Sequence, residues 1–265
     1  MRTLWLKLAL TPLLMTGATL AIRIWGPTAG GWIVGLPLTS GPISFLLFLE
    51  RGSQFASHAS ISTLLGINGV TSCVVIYAHG ARRWAWPATT AASLLGFVVT
   101  TMLLRPVTAT PVQAFVGSSL YSIAGLFALP RGGSVRQGAV SPWDLPVRVG
   151  LSLGMVLTVT ALAERLGPTL SGMLSTFPIF TLVTAAFSHR ELGGGAATLY
   201  ARGLLSSLVG FSAFFLVVAL FLDRFGVTTF ALATLASLVV GALAASIAGR
   251  LSKPKAESRK LIAES

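Results

Sequence analysis

Long apolar runs separated by short polar connections extend over almost the whole chain. Eight of these runs are long enough to cross the roughly 30 Å hydrocarbon core of a bilayer as a helix. They cover residues 5–25, 27–49, 54–78, 84–104, 147–166, 168–188, 203–222 and 225–249. A further run at 112–129 is just long enough to span. The pattern predicts an all-α integral membrane protein with about nine spans, or eight if the run at 112–129 lies on the surface.

The order of glycine, proline and acidic residues in the first half recurs 141 positions later. Without a gap, the shift superimposes Gly26, Pro27, Thr28, Gly31, Pro37, Glu50, Gly52 and Gly69 on Gly167, Pro168, Thr169, Gly172, Pro178, Glu191, Gly193 and Gly210. We therefore expect two homologous repeats of four transmembrane helices, at 1–105 and 142–250. A connecting segment at 106–141 would carry the additional helix, and a basic tail at 251–265 would follow the second repeat.

The run at 112–129 decides how the two repeats are oriented. If it spans, an odd number of helices separates the repeats and they are inverted in the membrane; otherwise they are parallel. We favour the inverted arrangement, because one helix inserted between two homologous units is what an inverted repeat requires. The loop cations fit both topologies, and both place the C-terminal tail in the cytoplasm. We expect a retained first helix and the cytoplasmic (inner) membrane of a bacterium.

The composition supports a membrane location and narrows the classes of function. Charged residues make up 10% of the chain and hydrophobic residues 54%, with a mean hydropathy of +0.82, whereas a soluble domain has about a quarter charged. The net charge of +12 comes from cations scattered between apolar runs, so no nucleic-acid partner is expected. With Cys73 as the single cysteine and no enzyme motif, we expect no disulfide, metal, cofactor or catalytic residue.

The run at 27–49 is interrupted near its centre by the segment LPLTSGP. Pro37 and Pro42 lack amide donors, so carbonyls about one turn earlier lose their partners. Thr39 and Ser40 lie within this break. Such polar groups are tolerated in hydrocarbon only where they face protein or a water-filled cavity. We therefore predict a substrate-binding site here; the alternative is a kink that serves close helix packing.

The second copy of this segment, FPIFTLVT, is less broken and more apolar. It contributes Pro178, Thr181 and Thr184 to the predicted site. Because the first copy has more polar capacity, we expect Thr39 and Ser40 to matter more for function than the two threonines of the second copy.

Charged residues end both of these helices. Glu50 is followed by Arg51, and Glu191 is preceded by Arg190. The two acids are candidates for a pair of proton or cation carriers. In the alternative interpretation, each acid forms an ion pair with its neighbouring arginine at the membrane interface.

Two more polar side chains lie in or near the spans of the second repeat. His189 has no histidine counterpart in the first repeat under the 141 shift. Arg202 would lie about two turns inside the membrane if its helix begins at Gly194, and would then need an acid or an anionic substrate. If the helix begins later, Arg202 is an ordinary arginine whose charged end reaches the interface.

The second repeat contains the unit LAERLGPTLSGMLSTFPIFTLVTAAFSHRELGGG. It resembles the GlpM family of small four-helix membrane proteins, whose members carry a G-L-x-x-x-F-P-x-F stretch followed by a histidine. The resemblance extends over residues 147–249 and more loosely over 5–104, where GLPLTSGP departs from the pattern. It implies a duplicated four-helix unit and an association with glycerol and exopolysaccharide metabolism, and it implies no site residues.

Two functions fit these features. The first is a small transporter or permease that moves a small polar solute or ion through a site between the two repeats. The second is a membrane scaffold without transport activity, or an assembly or flippase component of an envelope polysaccharide or lipid pathway. The expected partners are the lipid bilayer and, in the first case, the solute; the sequence leaves a homodimer open.

Overall fold

A computed structural model describes residues 2–38, 40–131, 134–136, 145–155, 157–158 and 176–252. Every regular element in these ranges is an α-helix. In chain order the helices are α1 (Arg2–Trp25), α2 (Pro27–Val34), α3 (Ser40–Arg51), α4 (Ser53–Gly80), α5 (Trp86–Leu104), α6 (Pro111–Ala128), α7 (Leu145–Met155), α8 (Ile179–Leu192), α9 (Gly194–Phe225) and α10 (Thr228–Ser252). The prediction of an all-α protein is confirmed for the described ranges.

Within the described ranges, five helices are long and apolar enough to cross a membrane, namely α4, α5, α6, α9 and α10. The run at 112–129 is one of them, because it forms α6. The turn between α4 and α5 carries exposed Trp84 and Trp86 beside exposed Arg82 and Arg83. Aromatic and cationic residues of this kind anchor helix ends at a membrane surface. The chain therefore has the helices expected of a membrane protein.

The two longest of these helices, α4 and α9, form the centre of the molecule. In each, 61% of the most apolar window is buried within the protein, compared with 22% in α5 and 17% in α10. Helix α4 contacts α3, α5, α6 and α9. Helix α9 contacts α2, α4, α6, α8 and α10. The core therefore lies between α4 and α9, and α5 and α10 turn most of their surface outward.

Hydrogen bonds between helices define their relative directions. They join Thr71 to Ser122 at 3.0 Å, His79 to the Ala128 carbonyl at 2.9 Å, Ser118 to Ser212 at 3.3 Å and Arg202 to the Pro130 carbonyl at 3.3 Å. Partners in α4 and α6 follow the same order along the chain, so these helices are parallel. Partners at α6 and α9 follow opposite orders, so these helices are antiparallel. It follows that α4 and α9 are antiparallel to each other.

A glycine in an unusual backbone conformation precedes each of the two central helices. Gly52, between α3 and α4, has φ 82° and ψ 174°, and Gly193, between α8 and α9, has φ 85° and ψ 172°. This region of backbone space is populated almost only by glycine, because a Cβ atom would clash with the main chain. The same sharp change of direction therefore connects α3 to α4 and α8 to α9.

Two close contacts join the first half of the chain to the second. A Cβ atom on Gly35, just after α2, would overlap the side chain of Ser207 in α9. Likewise, a Cβ atom on Gly66 in α4 would overlap the side chain of Thr176, which precedes α8. Each central helix therefore receives, near its own midpoint, a segment from the opposite half of the chain.

The run expected at 27–49 is divided into two helices. Helix α2 ends at Val34 and α3 begins at Ser40, so the helix is broken at the segment that contains Pro37. The amide of Gly41 donates to the carbonyl of Pro37 at 2.8 Å and starts the second helix. A break at LPLTSGP, as the prolines indicate, is confirmed.

In the second half, α8 begins at Ile179, immediately after Pro178, and continues to Leu192, beyond the expected end at residue 188. Residues 159–175, which hold most of the preceding segment, lie outside the described ranges. The next helix also differs from expectation, because α9 begins at Gly194 rather than at residue 203. Glycines and alanines at 193–197 carry little hydropathy, so the apolar run alone placed the helix start too late.

Candidate functional site

A cavity of about 380 Å³ lies where the end of α4, residues 134–136, the end of α8 and the start of α9 meet. We call it the vestibule. It is lined by Ala81, Arg82, Ser134, Arg136, His189, Gly193, Gly194, Gly195 and Thr198. Its volume is in the range of small-molecule binding sites, which is roughly 300–1,000 Å³.

The walls of the vestibule are held by main-chain contacts. The amide of Arg136 donates to the carbonyl of Leu192 at 2.9 Å, which fixes residues 134–136 against the end of α8. The side chain of Arg136 then passes over Gly193. A Cβ atom on Gly194 would overlap the carbonyl of Ala81, so the start of α9 lies directly against the end of α4. Segments that are distant in the chain are thus brought together around one opening.

The vestibule is positively charged. Arg82 and Arg136 are both exposed, and no Asp or Glu is among the described residues that line the cavity. The N-terminus of α9 adds the partial positive charge of its first amide groups. The acid closest in sequence to the lining, Glu191, forms an ion pair with Arg148 at 2.7 Å. An anionic group is therefore the ligand that this charge distribution favours.

A second, much smaller cavity of about 10 Å³ lies deeper between α4, α8 and α9. We call it the inner cavity. It is lined by Cys73, Val74, Tyr77, Thr181, Leu182, Ala185, Ala197, Tyr200 and Ala201. This volume is about that needed for one water molecule. Three of the lining residues carry hydroxyl groups in otherwise apolar surroundings.

The two cavities lie in line along the same helices. On α8, the vestibule residue His189 is followed inward by Ala185 and Thr181, which line the inner cavity at successive helical turns. On α4, the ring of Tyr77 meets the ring of His189 edge to face, with 6.0 Å between their centroids. The inner cavity therefore begins about one helical turn behind the vestibule wall.

Two hydroxyl groups of the inner cavity are buried without a hydrogen bond to any described residue. They belong to Tyr77 and Tyr200. Thr90 lies near the first of these hydroxyls, and Thr181 and Thr184 near the second, but none of these pairs has the distance and alignment of a hydrogen bond. Leaving a buried hydroxyl unpaired costs about 1–3 kcal/mol. Such groups indicate a place where a polar ligand, ion or water supplies the missing partner.

The residues predicted for a substrate site fall into two separate places. Thr181 lines the inner cavity, Thr184 is buried next to it with its hydroxyl 3.9 Å from the Met15 sulfur, and Pro178 begins α8. Pro37, Ser40 and Pro42 are half-buried at the break between α2 and α3, and Thr39 lies outside the described residues. Ser40 therefore does not line the inner cavity, and the predicted role of the first copy remains a prediction.

The distance between the inner cavity and the α2–α3 break follows from the α9 residues that each of them contacts. Tyr200 lines the inner cavity, whereas Gly35 and Gly41 lie against Ser207 and Phe214. At 1.5 Å rise per residue, the break is therefore roughly 10–20 Å farther along α9 than the inner cavity.

The two acids proposed as a pair lie at opposite ends of the molecule. Glu50 is exposed near the start of α4, and Glu191 lies near the other end of α4, roughly 40 Å away by the length of that helix. Arg51 stacks on Phe55, with its guanidinium carbon 5.7 Å from the ring centroid. The two acids are therefore not in contact, and their role as proton or cation carriers remains a prediction.

The ion pair of Glu191 differs from the expected one. Its partner is Arg148 of α7, at 2.7 Å, whereas the chain neighbour Arg190 is exposed. The Arg148 side chain is only 3% exposed and stacks on Phe187, with the guanidinium carbon 4.7 Å from the ring centroid. Sequence reasoning placed Arg148 among the loop cations, because a pair 43 positions apart gives no local signal.

Because α9 begins at Gly194, Arg202 lies about two turns inside this helix, the position at which we expected it to need a partner. The partner is a main-chain group: the guanidinium donates to the Pro130 carbonyl at 3.3 Å. This carbonyl lies just beyond the C-terminal end of α6, where arginine stabilises the unpaired carbonyls of a helix. Arg202 therefore connects α6 to α9 at that level.

The two arginines and two tyrosines of the cavities, Arg82, Arg136, Tyr77 and Tyr200, were not among the predicted site residues. The two arginines look like ordinary loop cations in the sequence. The tyrosines offer a weak signal, because a phenol in an apolar run brings a polar end that needs a partner.

Comparison with protein-family models, with curated proteins and with solved structures gives no match. The GlpM-like resemblance of the second repeat therefore stays a prediction. Functional interpretation depends on the geometry of the vestibule and the inner cavity.

Proposed function

We propose that this protein is a small membrane transporter that moves a small polar solute or ion through the contact between two inverted four-helix repeats. The observation that carries the proposal is the alignment of the vestibule with the inner cavity. The inner cavity is walled by α4 of the first repeat and by α8 and α9 of the second. The vestibule is walled by the residues that follow α4, by residues 134–136 of the connecting segment, and by α8 and the start of α9. Substrate sites of secondary transporters lie at such contacts between repeats.

Three features of the fold support the inverted repeat. The central helices α4 and α9 begin 141 positions apart, at Ser53 and Gly194, and are antiparallel. The glycines that precede them, Gly52 and Gly193, share one backbone conformation. The close contacts are also reciprocal, since Gly35 and Gly66 become positions 176 and 207 when shifted by 141, and these are the partners of Gly66 and Gly35. Reciprocal contacts are the mark of a two-fold relationship.

The break between α2 and α3 supports a transport function. Gly35 contacts α9 near its midpoint, and Thr176 contacts α4 near its midpoint. Non-helical backbone at this depth exposes carbonyl and amide groups that need polar partners. Discontinuous helices that meet at the middle of the membrane form the substrate and ion sites of many transporters. In the proposed topology of nine spans, α2 with α3 makes one crossing and the segment that ends with α8 makes another.

The scaffold alternative accounts for only part of these observations. Close glycine packing, as between Gly203 and Thr28, serves a scaffold and a transporter equally. A scaffold has no need of a cavity lined by cations, nor of buried hydroxyls left without partners beside it. The transporter is therefore the function that the geometry supports best.

The proposed topology can be tested with reporter fusions. We expect a reporter fused after Ser265 to report the cytoplasm and one inserted after Arg2 to report the outer face of the inner membrane. The vestibule, with Arg82 and Arg136, then opens to the cytoplasm, in agreement with the positive-inside rule. A cytoplasmic N-terminus would contradict the inverted repeat and favour parallel repeats.

Transport itself can be tested in proteoliposomes without knowing the substrate. Vesicles with purified protein are incubated with a mixture of small polar metabolites and inorganic ions, and their contents are analysed by mass spectrometry. We expect at least one solute to enter faster than it enters protein-free vesicles. Correctly folded protein that admits no component of the mixture would support the scaffold.

A further inference from the structure

Two guanidinium groups come from different parts of the fold to the same cavity. Arg82 follows α4, and Arg136 belongs to the segment held against Leu192. Guanidinium groups bind carboxylate and phosphate oxygens through paired hydrogen bonds, which a single ammonium group does not match. The arrangement offers two such groups within one opening of small-molecule size.

Main-chain and imidazole groups complete the polar lining. The amides of Ala196 and Ala197 donate back to the Gly193 carbonyl, so α9 begins there. The first amides of a helix have no acceptor within the helix, and at this end they belong to lining residues Gly194 and Gly195. Nδ1 of His189 is buried and has no hydrogen-bond partner among the described residues. Two guanidinium groups, one imidazole and the first amides of α9 therefore belong to residues that line one cavity.

The Arg82–Arg83 pair separates this site from ordinary loop charge. Both arginines are exposed at the same turn, but only Arg82 lines the vestibule. Arginines that only set the membrane topology need no cavity and no fixed position. Arg83, which lies outside the lining, is therefore the internal comparison for Arg82.

We infer that the vestibule binds an oxyanion, and that the transported substrate carries a phosphate or carboxylate group recognised by Arg82 and Arg136. The second part of this inference rests on the proposed transport function. The volume of about 380 Å³ admits a small organic anion, or the headgroup of an anionic lipid entering from the membrane surface. Both sources present the same oxyanion chemistry.

Binding is tested by thermal unfolding of the purified full-length protein in detergent. Inorganic phosphate and succinate are titrated separately against sodium chloride at matched ionic strength. We expect at least one of them to raise the unfolding temperature in a saturable way, since a ligand that binds the folded state stabilises it. Arg82→Gln and Arg136→Gln should each weaken the apparent affinity about tenfold, because each removes a charge-assisted pair of hydrogen bonds.

Arg83→Gln is the matched control, since it removes the same charge one residue away from the lining. We expect it to leave the apparent affinity within about twofold of wild type, the difference that screened surface charge can make. Equal losses for Arg82→Gln and Arg83→Gln would overturn the inference. So would the absence of any saturable effect of phosphate, succinate or anionic lipid.

A second experiment distinguishes a lipid headgroup from a free solute as the source of the oxyanion. The protein is placed in nanodiscs of phosphatidylcholine, with and without phosphatidylglycerol. Stabilisation by phosphatidylglycerol alone, lost in Arg82→Gln and kept in Arg83→Gln, would identify a lipid headgroup as the ligand. Stabilisation by a soluble oxyanion with the same dependence on Arg82 would identify a free solute.

Transport measurements test the transporter and the oxyanion site independently of each other. Binding with the expected arginine dependence but no flux would refute the transporter and leave the oxyanion site standing. Flux of a neutral or cationic solute that is unchanged in the Arg82→Gln, Arg136→Gln double variant would refute the oxyanion substrate and leave the transporter standing.

Discussion

Replacement of Tyr77 and Tyr200 together by phenylalanine is expected to abolish transport and to make the protein more stable. Both hydroxyls are buried at the inner cavity without a hydrogen bond to a described residue. Removal of such a group releases about 1–3 kcal/mol of desolvation cost while the ring keeps its packing. The same hydroxyls are the polar partners available to a solute at this depth, so transport is lost. Stability is measured by thermal unfolding, and transport by uptake into proteoliposomes.

Tyr121→Phe is the matched control, because Tyr121 is the one remaining tyrosine of the three in the chain. Its ring is exposed and its hydroxyl is bonded to Ser72 at 2.9 Å. The change should lower stability slightly, by about 0.5–1.5 kcal/mol, and leave transport unchanged. Wild-type uptake by the Tyr77→Phe, Tyr200→Phe variant would show that the inner cavity takes no part in transport.

A second large effect is expected from Gly203→Ala in α9. A Cβ atom at this position would overlap the carbonyl of Thr28 and approach the amide of Trp32. The contact is reciprocal, since a Cβ atom on Gly31 would overlap the carbonyl of Tyr200. Backbone atoms cannot move aside as a side chain can, so α2 must separate from α9. We expect a loss of about 3 kcal/mol or more, seen as a sharply lower yield of monodisperse protein.

Gly117→Ala provides the comparison for this change. Gly117 also lies inside a helix, α6, but no atom lies within 4 Å of the Cβ position. Alanine is favoured over glycine in a helix by up to about 1 kcal/mol, so this variant should be as stable as wild type or more stable. If both alanine variants behave alike, α2 does not pack against α9 as the structure has it.

The helices were largely predictable because length and hydropathy carry most of the signal. Prolines also gave a local signal, and the break before Ser40 follows from Pro37. Helix starts were less predictable. Gly194 begins α9 although its neighbours are glycines and alanines, because the start of this helix lies against Ala81, a contact between residues far apart in the chain.

The cavities could not be predicted, because each is assembled from single residues of several segments. Arg82, Arg136 and His189 come together only through the packing of α4, α8 and α9. Sequence reasoning instead weighed the density of polar groups within one segment and therefore favoured LPLTSGP. Tyr77 lies near the end of the run at 54–78 and Tyr200 just before the run at 203–222, and a single tyrosine adds little to such a density.

The packing of α2 on α9 also affects how the protein folds during its synthesis. Thr28 and Gly203 are 175 positions apart (203 − 28), so synthesis at roughly 5–20 residues per second makes α9 about 9–35 s after α2. Throughout this interval the glycine face of α2 lacks its neighbour α9. The free carbonyls at the end of α2 lack it as well. The insertion machinery and the surrounding lipid must cover them until the second half arrives. The order in which ribosomes deliver the two halves is therefore a constraint on this fold, and a ribosomal pause before α9 would prolong the exposed state.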